Sequence, residues 1–156
     1  MIAVPREFAN TAPDLSHDGR WLTLHTTDIP TIGRLTLKRQ IFVAPFSGGP
    51  IPEESWIPVT DGEALDREPK WSVDDNQIFF VSDRDGFRCI FARKLDRATK
   101  RPLGELFPVL HLHSPGQSLM LVPNTGHVSI VPVANKLIFS MGELTSNLWL
   151  TEMRQH

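Results

Sequence analysis

Hydrophobic residues along this chain come in short runs, most of them closed by polar or glycine-containing turns. Residues 21–25, 40–43, 77–81, 89–92, 136–140 and 147–150 are such runs, rich in β-branched and aromatic side chains. That is the composition of β-strands. Helical signals are poor. Thirteen prolines are scattered along the chain, and few stretches avoid proline and glycine long enough for an amphipathic helix. The pattern predicts an all-β protein.

The runs repeat. Leu15-Ser16-His17-Asp18-Gly19-Arg20-Trp21 aligns with Trp71-Ser72-Val73-Asp74-Asp75-Asn76-Gln77. Each copy has an apolar residue, a serine, an acidic turn and then a strand. A third copy starts at Ile130; Pro132-Val133-Ala134-Asn135 replaces the acidic turn, and Leu137-Ile138-Phe139 falls in line as the strand. The period is about 55 to 60 residues, slightly above that of common propeller repeats. Asp18-Gly19 and Asp74-Asp75-Asn76 supply residues that tolerate the left-handed backbone of a tight turn. Asp83-Arg84-Asp85-Gly86 reads as a second hairpin turn. A further strand in each copy comes at 41–43, 90–92 and 148–150.

A fourth strand is expected on the outer edge, where proline is tolerated because one side of the strand is free. Residues 56–60, with Pro58, fit this in the first unit. In the middle unit residues 119–123 fit best, followed by the turn Asn124-Thr125-Gly126. Residues 1–5, with Pro5, read as an outer strand belonging to another unit. The units then run over about 12–60, 68–123 and 127–156 of a single domain, 1–156.

The run from Pro69 through Trp71-Ser72-Val73-Asp74-Asp75-Asn76-Gln77 and Ser82-Asp83-Arg84-Asp85-Gly86 to Phe91 resembles the TolB-like, WD-repeat-like (PD-type) β-propeller repeat. Related repeats occur in the propeller domains of prolyl oligopeptidase-like peptidases. The resemblance implies about three four-stranded antiparallel blades. Closed rings have about four to eight, so three make an open arc whose end faces need cover. Either the chain is part of a longer protein, or two copies close a six-bladed ring. In the second case residues 1–5 of one copy complete the last blade of the other.

Charge and composition narrow the partners. The net charge is -2 and the pI about 6.3, without the basic footprint that nucleic acid demands. Lys94, Arg97, Lys100 and Arg101 are interleaved with Asp96 and read as a solvated loop. No run reaches the ~20 apolar residues of a membrane helix, and residues 1–10 do not form a signal peptide. The default expectation is a cytoplasmic protein, or a periplasmic one if the chain is part of an exported TolB-like protein.

Candidate chemistry is sparse. Ser16, His17 and Asp18 are triad residue types, but adjacent residues cannot assemble a triad. Gly116-Gln117-Ser118-Leu119-Met120 lacks the second glycine of a nucleophile elbow. His111 and His113 form a possible metal half-site. No Cys, Asp or Glu stands beside them in the sequence at ligand spacing, and only His127 is nearby, so surface histidines are the expectation. Asp83-Arg84-Asp85-Gly86 lacks the later ligands of a calcium loop, with Lys94 at the twelfth position. Ser47-Gly48-Gly49-Pro50 is a turn rather than a phosphate loop. Cys89 reads as an inert strand residue. No catalytic, cofactor or metal residue is therefore assigned, and no cofactor is expected.

The expected function is a non-catalytic binding module, which the TolB resemblance implies to be one for protein–protein or ligand recognition. Residues 28–38 and 96–116, read as the longest loops, are its expected contact surface. The alternatives are a propeller accompanying a hydrolase or lyase, with Asp18 and Asp74 converging on the axis, and the sensor end of a larger regulator.

Overall fold

The serine-and-acid turns set the two best-formed hairpins. In the first, Ser16 Oγ donates to Asp18 Oδ1 at 2.7 Å and accepts from the Trp21 amide at 2.9 Å. In the second, Ser72 Oγ donates to Asp74 Oδ1 at 2.6 Å and accepts from the Gln77 amide at 3.0 Å. The left-handed position falls at equivalent residues, Gly19 (φ 71°) and Asp75 (φ 55°). The side chains satisfy turn amides that the strand ladder leaves open.

The computed structural model describes residues 8–28, 38–113, 116–120, 127–143 and 150. Strands β1 (Phe8–Leu15), β2 (Trp21–Asp28), β3 (Arg39–Pro45) and β4 (Ile57–Pro58) form one antiparallel sheet in sequential order. Strands β5 (Arg67–Trp71), β6 (Gln77–Ser82), β7 (Cys89–Leu95) and β8 (Pro102–Leu110) form a second in the same order. A third unit is built from β9 (Gln117–Leu119), β10 (Ile130–Val133), β11 (Lys136–Phe139) and β12 (Met141–Glu143). There β10 pairs with β11, and β9 pairs with β12. The chain is all-β, as its pattern predicts.

The first strand of each sheet repeats a detail. The register of β1 slips between Thr11 and Asp14, and that of β5 between Arg67 and Lys70. In the third unit the corresponding strand is split into β9 and β10, with residues 120–129 between them.

Three features differ from the sequence expectation. The basic residues 94–101 are not one solvated loop: Lys94 lies within β7, and Lys100 is buried with its ammonium bonded to the Asp75 carbonyl. Residues 96–116 are not one long loop, because β8 lies within them. It carries Pro102, Gly104 and Pro108, is largely exposed, and shifts register twice against β7. An outer strand has one free side and tolerates all of this, but it then lacks the alternation by which strands are recognised. Conversely, the described start of the expected outer strand 119–123 does not join the second unit, and residues 121–126, with the expected turn at Asn124-Thr125-Gly126, lie outside the described residues. Leu119 ends β9 and pairs with Met141 of the third unit. The second sheet thus closes at Leu110 rather than 123. The expected strand at residues 1–5, residues 148 and 149 of the expected strand 148–150, and the loop residues 29–37 lie outside the described residues; Leu150 is described and is exposed.

The main core lies between the first two sheets. Ile41, Val43 and Val59 pack against Trp71, Ile78, Phe80, Cys89 and Phe91. A second core joins Val81 and Ile90 of the second sheet to Leu112, Leu119, Val128 and Ile130. Polar groups fasten the first junction. Asp14 accepts from Lys70 Nζ at 3.0 Å and from the Trp71 amide at 3.1 Å, and its carbonyl accepts from the Trp71 indole at 3.2 Å. The Asp75 carboxylate accepts from the His17 and Asp18 amides at 2.9 and 3.0 Å, and lies 2.9 Å from His17 Nδ1.

In the third hairpin Ala134 occupies the left-handed position (φ 47°), which costs a side-chain-bearing residue about 1 kcal/mol. Replacing Ala134 with Gly is expected to stabilise the fold by up to about 1 kcal/mol. Replacing Asp75 with Ala is expected to cost about 1–3 kcal/mol by leaving the His17 and Asp18 amides unpaired. Urea midpoints measure both, and a neutral Asp75→Ala would show that apolar packing alone holds the junction.

Candidate functional site

The Asp83–Gly86 turn places a carboxylate at one end of the second sheet. The Gly86 amide donates to the Asp83 carbonyl at 2.8 Å, with Gly86 at φ 87°. The Phe87 amide donates to Asp85 Oδ1 at 3.3 Å, which leaves Oδ2 for other partners. Strand β7 begins at Cys89, and Ile90 pairs with Leu110 at the end of β8. That register brings the chain leaving β8 alongside Cys89 and the turn.

Four side chains converge there. Asp85 Oδ2 lies 2.9 Å from His111 Nδ1 and 3.0 Å from His113 Nε2, and those two nitrogens are 3.1 Å apart. The Cys89 Sγ completes the group, all four donor atoms lying within 4.8 Å of one another. The Leu112 amide donates to Sγ at 3.3 Å. Leu112 is buried in the core beneath, while His111 and His113 on either side of it point outward. Phe87 stacks on the His113 ring at 4.9 Å, and Phe91 meets His111 edge-on at 5.9 Å.

The electrostatics separate the acid from the thiol. Burial acts to raise the Asp85 carboxyl, but hydrogen bonds from His113, the Phe87 amide, Cys89 and His111 outweigh it and hold it down at about 2. Burial pushes the Cys89 thiol up. The Leu112 amide works against this, while Asp85 reinforces it. A buried, protonated thiol is a poor nucleophile, so the donor set suits ligation better than covalent catalysis.

His111 and His113 were legible in the sequence as a half-site; Asp85 and Cys89 were not. The β7–β8 register is what brings them together, and a strand hidden among prolines gave no sign of it. His127, the other histidine considered, lies elsewhere, with its Nδ1 2.7 Å from Glu68 Oε1. Asp18 and Asp74 hold their own turns. The Arg20 amide, then Ser16 and the Arg20 side chain, keep Asp18 at about 2. Bonds led by Ser72 hold Asp74 below the usual range against mild burial.

A groove runs along the second sheet beneath the third hairpin, with a volume of about 720 Å³. Phe79, Leu110, Leu137 and Phe139 supply apolar walls, and Asp74 and Lys136 are among its polar residues.

No protein-family model and no curated protein matches the chain. Among solved structures it is similar to a puromycin hydrolase and to a mutant of that enzyme complexed with PGG. The TM-scores are 0.55 and 0.56, at 19% identity, and the likeness covers 86% of this chain. The chain spans 19% of the length of either hydrolase. With antiparallel four-stranded sheets side by side, the fold follows. The chain is an arc of a β-propeller. Its sheets are blades, with β1, β5 and the β9–β10 pair as the first strands of successive blades.

Near the first strands of these blades, His25 is fully buried. Burial, then the positive charges of Arg39, His127 and Arg67, hold its pKa down at about 3. Below an unfolded value of about 6.5 the unfolded chain takes up a proton that the folded chain refuses. Stability is therefore fully present above pH ~6.5 and declines toward pH ~3. The urea midpoint is expected to fall between pH ~6.5 and ~4.5, above the range in which the lowered aspartates titrate. His25→Leu is expected to flatten that slope; an unchanged slope would assign the proton uptake elsewhere.

Proposed function

We propose that this chain is a non-catalytic segment of a propeller that accompanies a hydrolase, and that it contributes to recognition rather than to bond cleavage. The observation that carries the reading is the likeness to puromycin hydrolase, which covers 86% of this chain. Sequence identity is low, so the likeness bears on architecture and the activity of the hydrolase is not carried over. The absence of a coupled nucleophile and base among the described residues fits a supporting part. Ser16 is bonded to Asp18 within its turn, and His17 faces Asp75.

The groove between the second and third blades is the proposed contact surface. Its ~720 Å³ volume lies in the range of small-ligand and side-chain pockets. An apolar floor with a few polar groups suits an apolar or aromatic side chain carried on a polar chain.

The outer face of the third blade bears on how the arc is completed. Val131, Val133 and Ile138 are exposed on it, with Val131 paired to Ile138. The opposite face, with Ile130 and Phe139, packs toward the second blade. An apolar sheet face of this kind is what a neighbouring blade covers in a ring. Further blades of the same chain or a second copy would both meet the need.

The reading frame on either side of this segment tests the proposal. Further repeats of similar period joined to a hydrolase domain are the expected result. A frame that holds no such sequence, with a chain that sediments as a dimer at micromolar concentration and as a monomer after Ile138→Lys, would instead support the six-bladed ring of two copies.

A further inference from the structure

Among the described residues, Asp85, Cys89, His111 and His113 are the one group of three or more His, Cys, Asp or Glu side chains whose donor atoms converge as a metal ion requires. Asp85 Oδ2, His111 Nδ1 and His113 Nε2 form a nearly equilateral triangle with sides of 2.9, 3.0 and 3.1 Å. Ligand atoms held about 2.0–2.1 Å from a tetrahedral zinc ion stand about 3.3 Å from one another. The triangle is thus one face of such a tetrahedron, slightly contracted. Hydrogen bonding alone is a weaker account of this shape. A single carboxylate oxygen faces both rings, and the two ring nitrogens also face each other, so one edge of the triangle carries no charge-assisted bond.

The surroundings agree. Asp85 Oδ1 is taken by the Phe87 amide, which leaves Oδ2 for single-point ligation. The Leu112 amide donates to Cys89 Sγ, the kind of outer contact that steadies a metal-bound thiolate. Phe87 and Phe91 pack on the two imidazoles and limit their rotation. Cys89 is fully buried, whereas the histidine side chains are about half exposed. An ion can therefore enter from the histidine side and complete its shell at the sulfur.

We propose that Asp85, Cys89, His111 and His113 bind one zinc ion, which fastens the β6–β7 turn to the chain leaving β8. The sulfur, two imidazoles and one carboxylate match zinc better than calcium or magnesium, which take oxygen ligands. On binding, the thiol proton passes to solvent as the zinc–sulfur bond forms. A carboxylate and a thiolate then balance the two positive charges. Four protein ligands fill a tetrahedron, so the role is structural rather than catalytic. The role is independent of the function proposed above.

The test uses the full chain, stripped of metal and titrated with zinc chloride in a calorimeter. One equivalent is expected to bind, with a rise in the thermal midpoint. Cobalt in place of zinc is expected to show the visible bands of a tetrahedral ion and a thiolate-to-cobalt charge-transfer band. His113→Asn, on the exposed side, is expected to lose at least about 100-fold in zinc affinity, given that outer-shell losses alone reach that size. Cys89→Ser is expected to remove the charge-transfer band. Circular dichroism confirms that each variant is folded, and His113→Asn decides the matter if the buried Cys89→Ser does not fold. Failure of the native chain to bind zinc, full affinity in a folded His113→Asn, or cobalt binding without a thiolate band would each overturn the proposal.

Discussion

Trp71 is where the first two blades become one body. Its ring lies in the core between them, in one cluster with Ile41 and Val43 of the first blade and Ile78 and Phe80 of the second. Its two N–H groups both donate to Asp14 of the preceding blade. A buried indole needs such an acceptor, and a propeller blade needs its neighbour, because a sheet apolar on both faces cannot stand alone. The same residue answers both needs. Lys100 adds to the arrangement, with its ammonium 5.9 Å from the Trp71 ring and bonded to the Asp75 carbonyl at 2.6 Å.

The junction is asymmetric along the chain for a reason visible in single residues. Where the second blade has Trp71 and Asp75, the third has Ile130 and Ala134. Ile130 keeps the apolar contact but has no side-chain donor, and Ala134 keeps the left-handed backbone without the carboxylate. The third hairpin accordingly closes differently, with Val133 paired to Lys136 across a two-residue turn. Among the described residues, its contacts with the second blade include the apolar cluster and the His127–Glu68 contact. The groove opens along this junction, between the second sheet and the third hairpin.

The strands facing neighbours were the legible part of the fold, since burial on both faces demands the continuous apolar runs at 21–25, 77–81 and 89–92. The turns were legible because Ser16, Asp18, Ser72 and Asp74 are chemically suited to little else. Strand β8 was not, since an outer strand answers to no partner on its free side and is free to carry Pro102, Gly104 and Pro108. That omission spread to the site. The strand carries its pairing from Leu95↔Pro102 to Ile90↔Leu110 through two irregular steps. Without it nothing places His111 beside Cys89. A paired half-site was visible in the sequence, but its completion depended on the least patterned strand of the blade.

Position also links the groove to the cluster of Asp85, Cys89, His111 and His113. Val109 and Leu110 line the groove, and the next residue is His111. Leu112, one step further, is anchored in the core that joins the second and third blades. An ion held by His111 and His113 would fix this stretch at both its surface and its core side. The groove wall would then be set by ligation at one end and by β7–β8 pairing at the other, rather than by an edge strand alone. Edge strands are held from one side only and are among the easier parts of a sheet to open. A structural ion at the end of this one would act where the blade is otherwise weakest.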